Sequence, residues 1–128
     1  MSTELGILGL YGLLIIVLIL VDTMLSIKQF GIPYMSSPRD EGRVKEGVAG
    51  RADRCVNNCT IGMALFAPAI LLLAIKDGFT TQTLLLAQIF LVARVIYAGV
   101  YLTGIPLART LSFVVALAAN AILYLMAI

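Results

Sequence analysis

Four long apolar runs constrain this chain more than any other feature. They cover residues 5–27, 55–75, 83–102 and 107–128. About 20 consecutive apolar residues, wound as a helix, are enough to cross the hydrocarbon core of a bilayer. Strands are a poor alternative, because the runs are too long and an open sheet edge cannot face lipid. The expected architecture is therefore an all-α membrane protein. It is a four-transmembrane-helix bundle in a single domain over 1–128, and the second helix may extend back towards Arg51. Gly6, Gly9 and Gly12 leave room on the first helix for a neighbour to approach closely.

Composition agrees. Of the 128 residues, 61% are hydrophobic and 12% are charged, and the mean hydropathy is +1.04. That leaves too little polar surface to cover a soluble domain. The chain has no His, which excludes a His-ligated metal or a His base. Cys55 and Cys59 are spaced one helical turn apart rather than as CxxC. They supply no zinc ligand set and read as small buried apolar residues. Glu4 stands where a cleaved signal would carry a basic stretch, and the run behind it exceeds a signal core. The first segment is thus expected to remain as a helix.

Two connections are short, Lys76-Asp77-Gly78 and Gly104-Ile105-Pro106, and they place successive helices side by side and antiparallel. The first connection, 28–54, is long and polar. It holds six of the nine basic residues, Lys28, Arg39, Arg43, Lys45, Arg51 and Arg54, against Asp40, Glu41, Glu46 and Asp53. Gly31, Pro33, Pro38 and Gly42 are expected to keep it from being helical. By the positive-inside rule this loop should be cytoplasmic, with both termini opposite and Arg109 on the loop's side. The mixed charge does not resemble a nucleic-acid footprint, so no nucleic-acid partner is expected.

Ionisable and strongly polar groups inside apolar spans are the candidate functional residues. Arg94 lies midway along the third run, and Tyr97 and Tyr101 follow it on one helical face. Two readings stand. One is a polar pocket with an arginine fork for an anion and phenols as donors. The other is a structural ion pair, with Asp22 as the partner, among packing tyrosines. Arg51, Arg54, Asn58 and Ile61 share a face at the start of the second span. They suit either an anion clamp at a helix start or boundary arginines that snorkel beside a capping Asn. Asn58-Cys59-Thr60 matches a glycosylation pattern but falls inside the helix. Gln88 and Asn120 are expected to make hydrogen bonds between helices.

Two stretches resemble one known family. The first is Ser37-Pro38-Arg39-Asp40-Glu41 followed by Gly47-Val48-Ala49-Gly50-Arg51-Ala52-Asp53-Arg54-Cys55-Val56-Asn57-Asn58. The second runs from Ala93-Arg94-Val95-Ile96-Tyr97 through Tyr101-Leu102-Thr103-Gly104-Ile105-Pro106 to Arg109-Thr110-Leu111. Their order on a four-helix chain resembles MAPEG proteins, the membrane-associated proteins in eicosanoid and glutathione metabolism, and in particular the bacterial-type members. The resemblance implies a homotrimer in the bacterial inner membrane, with glutathione as co-substrate near the cytoplasmic face. Relatives include glutathione transferases, leukotriene C synthase and prostaglandin E synthase.

Carried over by position, the resemblance implies glutathione binding by Arg51, Arg54, Asn58, Arg94, Tyr97 and Tyr101. It implies thiolate stabilisation by Arg109, and it places Lys28 near a basic position at the end of helix one. The second substrate would be a lipophilic molecule from the membrane lipid phase. The family pattern Arg-x-x-x-Asn-x-x-Glu has a glutamate where this chain has Ile61. Three functions follow as alternatives: a glutathione-dependent transferase or peroxidase, an inactive relative serving as a membrane interaction protein, and a small transporter with Asp22 as coupling acid.

Overall fold

The hydrophobic runs do become helices, and two of them extend well past their apolar limits. A computed structural model describes residues 3–38, 40, 42 and 44–128. Arg39, Glu41 and Arg43 of the first connection lie outside the described residues. The helices are α1 (Glu4–Phe30), α2 (Ile32–Met35), α3 (Gly47–Ile75), α4 (Thr81–Thr103) and α5 (Pro106–Ala127). All but α2 are long and apolar enough to cross a membrane. No strand occurs among the described residues.

The first connection is shorter than its polar composition suggested. Helix α3 begins at Gly47, eight residues before Cys55, so Arg51 and Arg54 are helical rather than in the loop. Polar residues are compatible with a helix wherever water or partners satisfy their side chains, so hydropathy marks the membrane segment and not the helix end. Gly31 stops α1 at a positive φ of 85°. Pro33, expected to break helix, instead sits in the first turn of α2, where its missing N–H has no intrahelical partner to lose.

The remaining ends carry recognisable stops. Thr80 and Thr83 form a reciprocal capping box at the start of α4, with N–H···Oγ1 distances of 2.7 and 3.2 Å. Gly104 ends α4 in the left-handed region, at φ 83°. At the C-terminus of α5, Lys76 Nζ donates to the carbonyls of Ala127 (2.6 Å) and Ile128 (3.1 Å), where a cation meets the negative end of the helix dipole.

The helices pair as α1 with α3 and α4 with α5, and α3 also touches α4 and α5. Large apolar side chains such as Leu13, Leu20, Leu85, Leu111 and Leu125 point outward. This is the inverse of a soluble protein and is what a lipid solvent selects. The core centres on Tyr11, Phe66 and Phe90. Phe66 and Phe90 stack at 4.1 Å between ring centroids, and the Tyr11 ring stands edge-on to both, at 6.0 and 5.1 Å. The Tyr11 hydroxyl donates 2.6 Å to the Cys59 carbonyl, which gives this otherwise apolar cluster one polar anchor in α3.

Tyr11 also explains why position 62 is glycine. A Cβ built there would lie 2.5 Å from the Tyr11 hydroxyl oxygen, and the next ring atom is at 3.6 Å. We therefore expect Gly62→Ala to destabilise the bundle by about 1–3 kcal/mol through overpacking. The loss should shrink when Gly62→Ala is made in a Tyr11→Phe background, which removes the colliding oxygen. Reversible unfolding in mixed micelles, analysed as a double-mutant cycle, checks this.

Candidate functional site

The central group of the site is Arg94, buried to 2% exposure near the middle of α4. Apolar surroundings at this depth make an unsatisfied guanidinium costly. The chain meets it with three partners. Arg94 Nη2 donates to Asn58 Oδ1 at 2.8 Å and to Cys59 Sγ at 3.0 Å. The guanidinium carbon lies 4.2 Å from the centroid of the Tyr97 ring, one turn along the same helix. The ion pair with Asp22, one of the two readings open from the sequence, does not occur. The Asp22 carboxylate instead receives Lys45 Nζ at 3.2 Å, and Lys45 also reaches Asp53 at 3.3 Å. Asp22 and Lys45 lie at the end of the bundle that carries the long connection, so the shorter path for Asp22 is along that end and not inward.

Asn58 is the hinge of the arrangement. It is half-buried, it holds Arg94 on its inner side, and it lines a hollow of about 200 Å³ with Tyr97, Arg109, Thr110 and Phe113. Tyr101 continues the aromatic row, 5.3 Å from Tyr97 between centroids. Arg109, at the first turn of α5, places its guanidinium carbon 5.0 Å from the centroid of the Tyr101 ring. Three helices thus deliver an amide, a phenol, a hydroxyl and a cation to one concavity at the loop end of the bundle.

The other basic residues are placed differently. Arg51 Nε donates 3.2 Å to the Leu102 carbonyl and its guanidinium lies 3.8 Å from a Cβ built on Gly104, so it ties the start of α3 to the end of α4. Arg54 is exposed one turn further along. Lys28 lines a separate hollow with Gln29, Glu46 and Ala49. Ile61 is 62% exposed and borders a narrow cavity on the far side of Asn58. Asn120 lines that same cavity, and contrary to expectation its Oδ1 makes no hydrogen bond to another helix. A single polar residue on a helix face has a partner only if the facing helix supplies one, and the residues around it here are mostly apolar.

Tyr11 and Cys59 are residues around Arg94 that sequence patterning missed. Tyr11 and Cys59 sit in apolar runs where nothing but their polar atoms distinguishes them. No group of acidic, Cys or His residues able to hold a metal occurs among the described residues.

Replacing Asn58 by Leu should cost about 1.5–3 kcal/mol, the range for a hydrogen bond to a charged group. The neighbouring Asn57→Leu, on an exposed position, should stay within about 0.5 kcal/mol. Equal effects of the two substitutions on unfolding in micelles would show that the Asn58–Arg94 bond contributes nothing.

Comparison with known proteins agrees with the geometry. No curated protein and no solved structure matches the chain significantly. The profile of the MAPEG family matches residues 5–128, essentially the whole chain. With four membrane-crossing helices and the Asn58–Arg94–Tyr97 constellation joining two of them, this multi-pass membrane protein belongs to the MAPEG family.

Proposed function

We propose that the protein is a glutathione-dependent transferase or peroxidase acting on lipophilic electrophiles. The observation that carries this reading is the hollow lined by Asn58, Tyr97, Arg109, Thr110 and Phe113. It combines a cation and neutral donors at the loop end of the bundle, beside lipid-facing helix surfaces. A peptide with two carboxylates and a thiol suits such a lining, with the exposed Arg54 and the half-buried Arg51 of α3 adding positive charge at the loop end of the bundle and Tyr101 beside Arg109. The site is open on one side, and a homotrimer in which a neighbouring subunit closes it fits the exposed apolar faces. The long connection is assigned to the cytoplasmic side of a bacterial inner membrane, where glutathione is supplied.

Arg94 has a positioning role in this mechanism. Its guanidinium is buried behind Asn58 and Tyr97 and fixes the amide and ring that face the hollow. Arg109 is the group that meets the sulfur. A free thiol is mostly protonated at neutral pH, and a guanidinium beside it favours the thiolate, which is the nucleophile. In the transferase reaction the sulfur lone pair forms the new bond to the electrophilic carbon. The electrons of the bond that breaks go to the leaving group or to the adjacent atom of an acceptor double bond, and that atom takes a proton from water.

Ile61 favours a second reading. Where the family has a glutamate for the glutathione amino group, this chain has an apolar side chain, so one charged hydrogen bond of roughly 1.5–3 kcal/mol is missing. That is about one to two powers of ten in affinity. The alternative is an inactive family member that acts as a membrane interaction protein.

Thermal unfolding with and without millimolar glutathione separates the two. Ligand at about 100 times its dissociation constant adds roughly 2.7 kcal/mol of stability. A shift in the unaltered protein supports the enzyme, and a shift seen only with Ile61→Glu supports the inactive relative. In the enzyme, Arg109→Ala should lower kcat for thiol transfer by ~10²-fold, the order found when one charge-stabilising donor is removed. Full transfer activity in Arg109→Ala would assign the thiolate to another group.

A further inference from the structure

Two opposite charges that the proposed reaction does not use face one hollow without pairing. Lys28, in the last turn of α1, and Glu46, the residue before α3, line a hollow of about 400 Å³ with Leu25, Gln29, Val48 and Ala49. Among the described residues Lys28 makes no ion pair or hydrogen bond, and the Glu46 carboxylate does not cap α3. This hollow shares no lining residue with the one beside Arg109.

The wall that carries Glu46 is fixed in place. Gln29 donates Nε2–H to the Val44 carbonyl at 3.4 Å and accepts the Glu46 N–H at 3.2 Å. Between those two residues, Lys45 reaches Asp22 on α1 and Asp53 on α3. A Cβ built on Gly50 would lie 3.0 Å from the Lys45 carbonyl oxygen, so the strap 44–46 is also seated closely on α3. The backbone that bears Glu46 is thus held against the helix that bears Lys28.

The hollow lies where the chain leaves the bilayer. The apolar run of α1 ends at Ile27, and beyond Lys28 the rings of Phe30 and Tyr34 meet with centroids 5.1 Å apart. A basic side chain followed by aromatic ones at a helix end marks the headgroup level. Leu25 and Val48 supply apolar lining beside the two charges.

We propose that this hollow binds the headgroup of a phospholipid that ends in a primary ammonium. The phosphate only accepts and Lys28 only donates, whereas the ammonium only donates and Glu46 only accepts. A basic pocket by itself suits any acidic lipid. Glu46 makes this one selective, because an anionic headgroup without an amine faces a like charge there and a quaternary amine has no N–H to give. The assignment stands apart from glutathione binding beside Arg109.

Native mass spectrometry of the purified full chain, released from detergent, counts bound lipid after equal additions of phosphatidylethanolamine, phosphatidylcholine and phosphatidylglycerol with the same acyl chains. Phosphatidylethanolamine should be retained at least several-fold more than the other two. Glu46→Gln should bring it down to the phosphatidylcholine level, and Lys28→Gln should lower it as well. Neither side chain has a bonded partner to lose, so both variants should fold. Asp77→Asn, which removes a carboxylate from the turn between α3 and α4 at the other end of the bundle, should leave the preference intact. Equal retention of the three lipids overturns the proposal, as does a preference that survives Glu46→Gln or Lys28→Gln. A preference lost equally with Asp77→Asn also overturns it, since net charge would then be the cause. Glutathione carries an ammonium beside a carboxylate and should not displace the lipid at millimolar concentration. Loss of bound phosphatidylethanolamine on adding it would give the hollow to a soluble zwitterion and overturn the lipid assignment.

Discussion

The bundle depends on keeping a guanidinium satisfied at bilayer depth. An arginine near the centre of a membrane helix costs several kcal/mol unless the protein replaces its hydration. Arg94 has no carboxylate partner among the described residues. It is held by an amide oxygen, a thiol sulfur and an aromatic face. These partners come from α3 and α4, so the charge locks the register between those two helices. Tyr11 extends the lock to α1 by its bond to the Cys59 carbonyl. Gly62 is the small residue that lets Tyr11 come close enough to make that bond.

The same lock organises the site. Because Asn58 and Tyr97 are fixed from behind by Arg94, they present rigid groups to the hollow beside Arg109. Preorganised groups gain more from a bound charge than mobile ones, since no reorganisation is needed when it arrives. At the loop end, Arg51 binds the Leu102 carbonyl and Lys45 joins Asp22 to Asp53. Contacts at both ends therefore brace the bundle around its polar middle, with Lys76 holding the carbonyls of Ala127 and Ile128 at the other end.

Much of this was legible before any coordinates. The four spans, the short turns at Lys76-Asp77-Gly78 and Gly104-Ile105-Pro106, and the Arg94–Tyr97–Tyr101 face all follow from hydropathy and helical period. Helix α3 starts at Gly47, eight residues before its apolar run and four before Arg51, because hydropathy reports where lipid begins, whereas a helix continues as long as its backbone is satisfied. One of the two readings of Arg94 offers Asp22 as its ion-pair partner. The nearest cation to Asp22, Lys45, lies in a connection whose path carries no periodic signal. Asn120 was expected to bond across helices, and the lack of a facing partner is a property of α5 packing that its own sequence does not encode.

The sequence by itself determined what kind of object this is. A chain so apolar can satisfy its backbone in lipid only as helices, and its few charges mark which end and which faces differ. Tertiary structure alone decided which polar groups meet. The Asn58–Arg94 bond spans 36 residues and the Tyr11–Cys59 bond spans 48. Helical period sets the direction of each side chain about its own axis, but the relative rotation and height of two helices are set by packing. That is why Arg94 could be singled out from sequence with Tyr97 on its own helix, while its bonds to Asn58 and Cys59 on α3 could not.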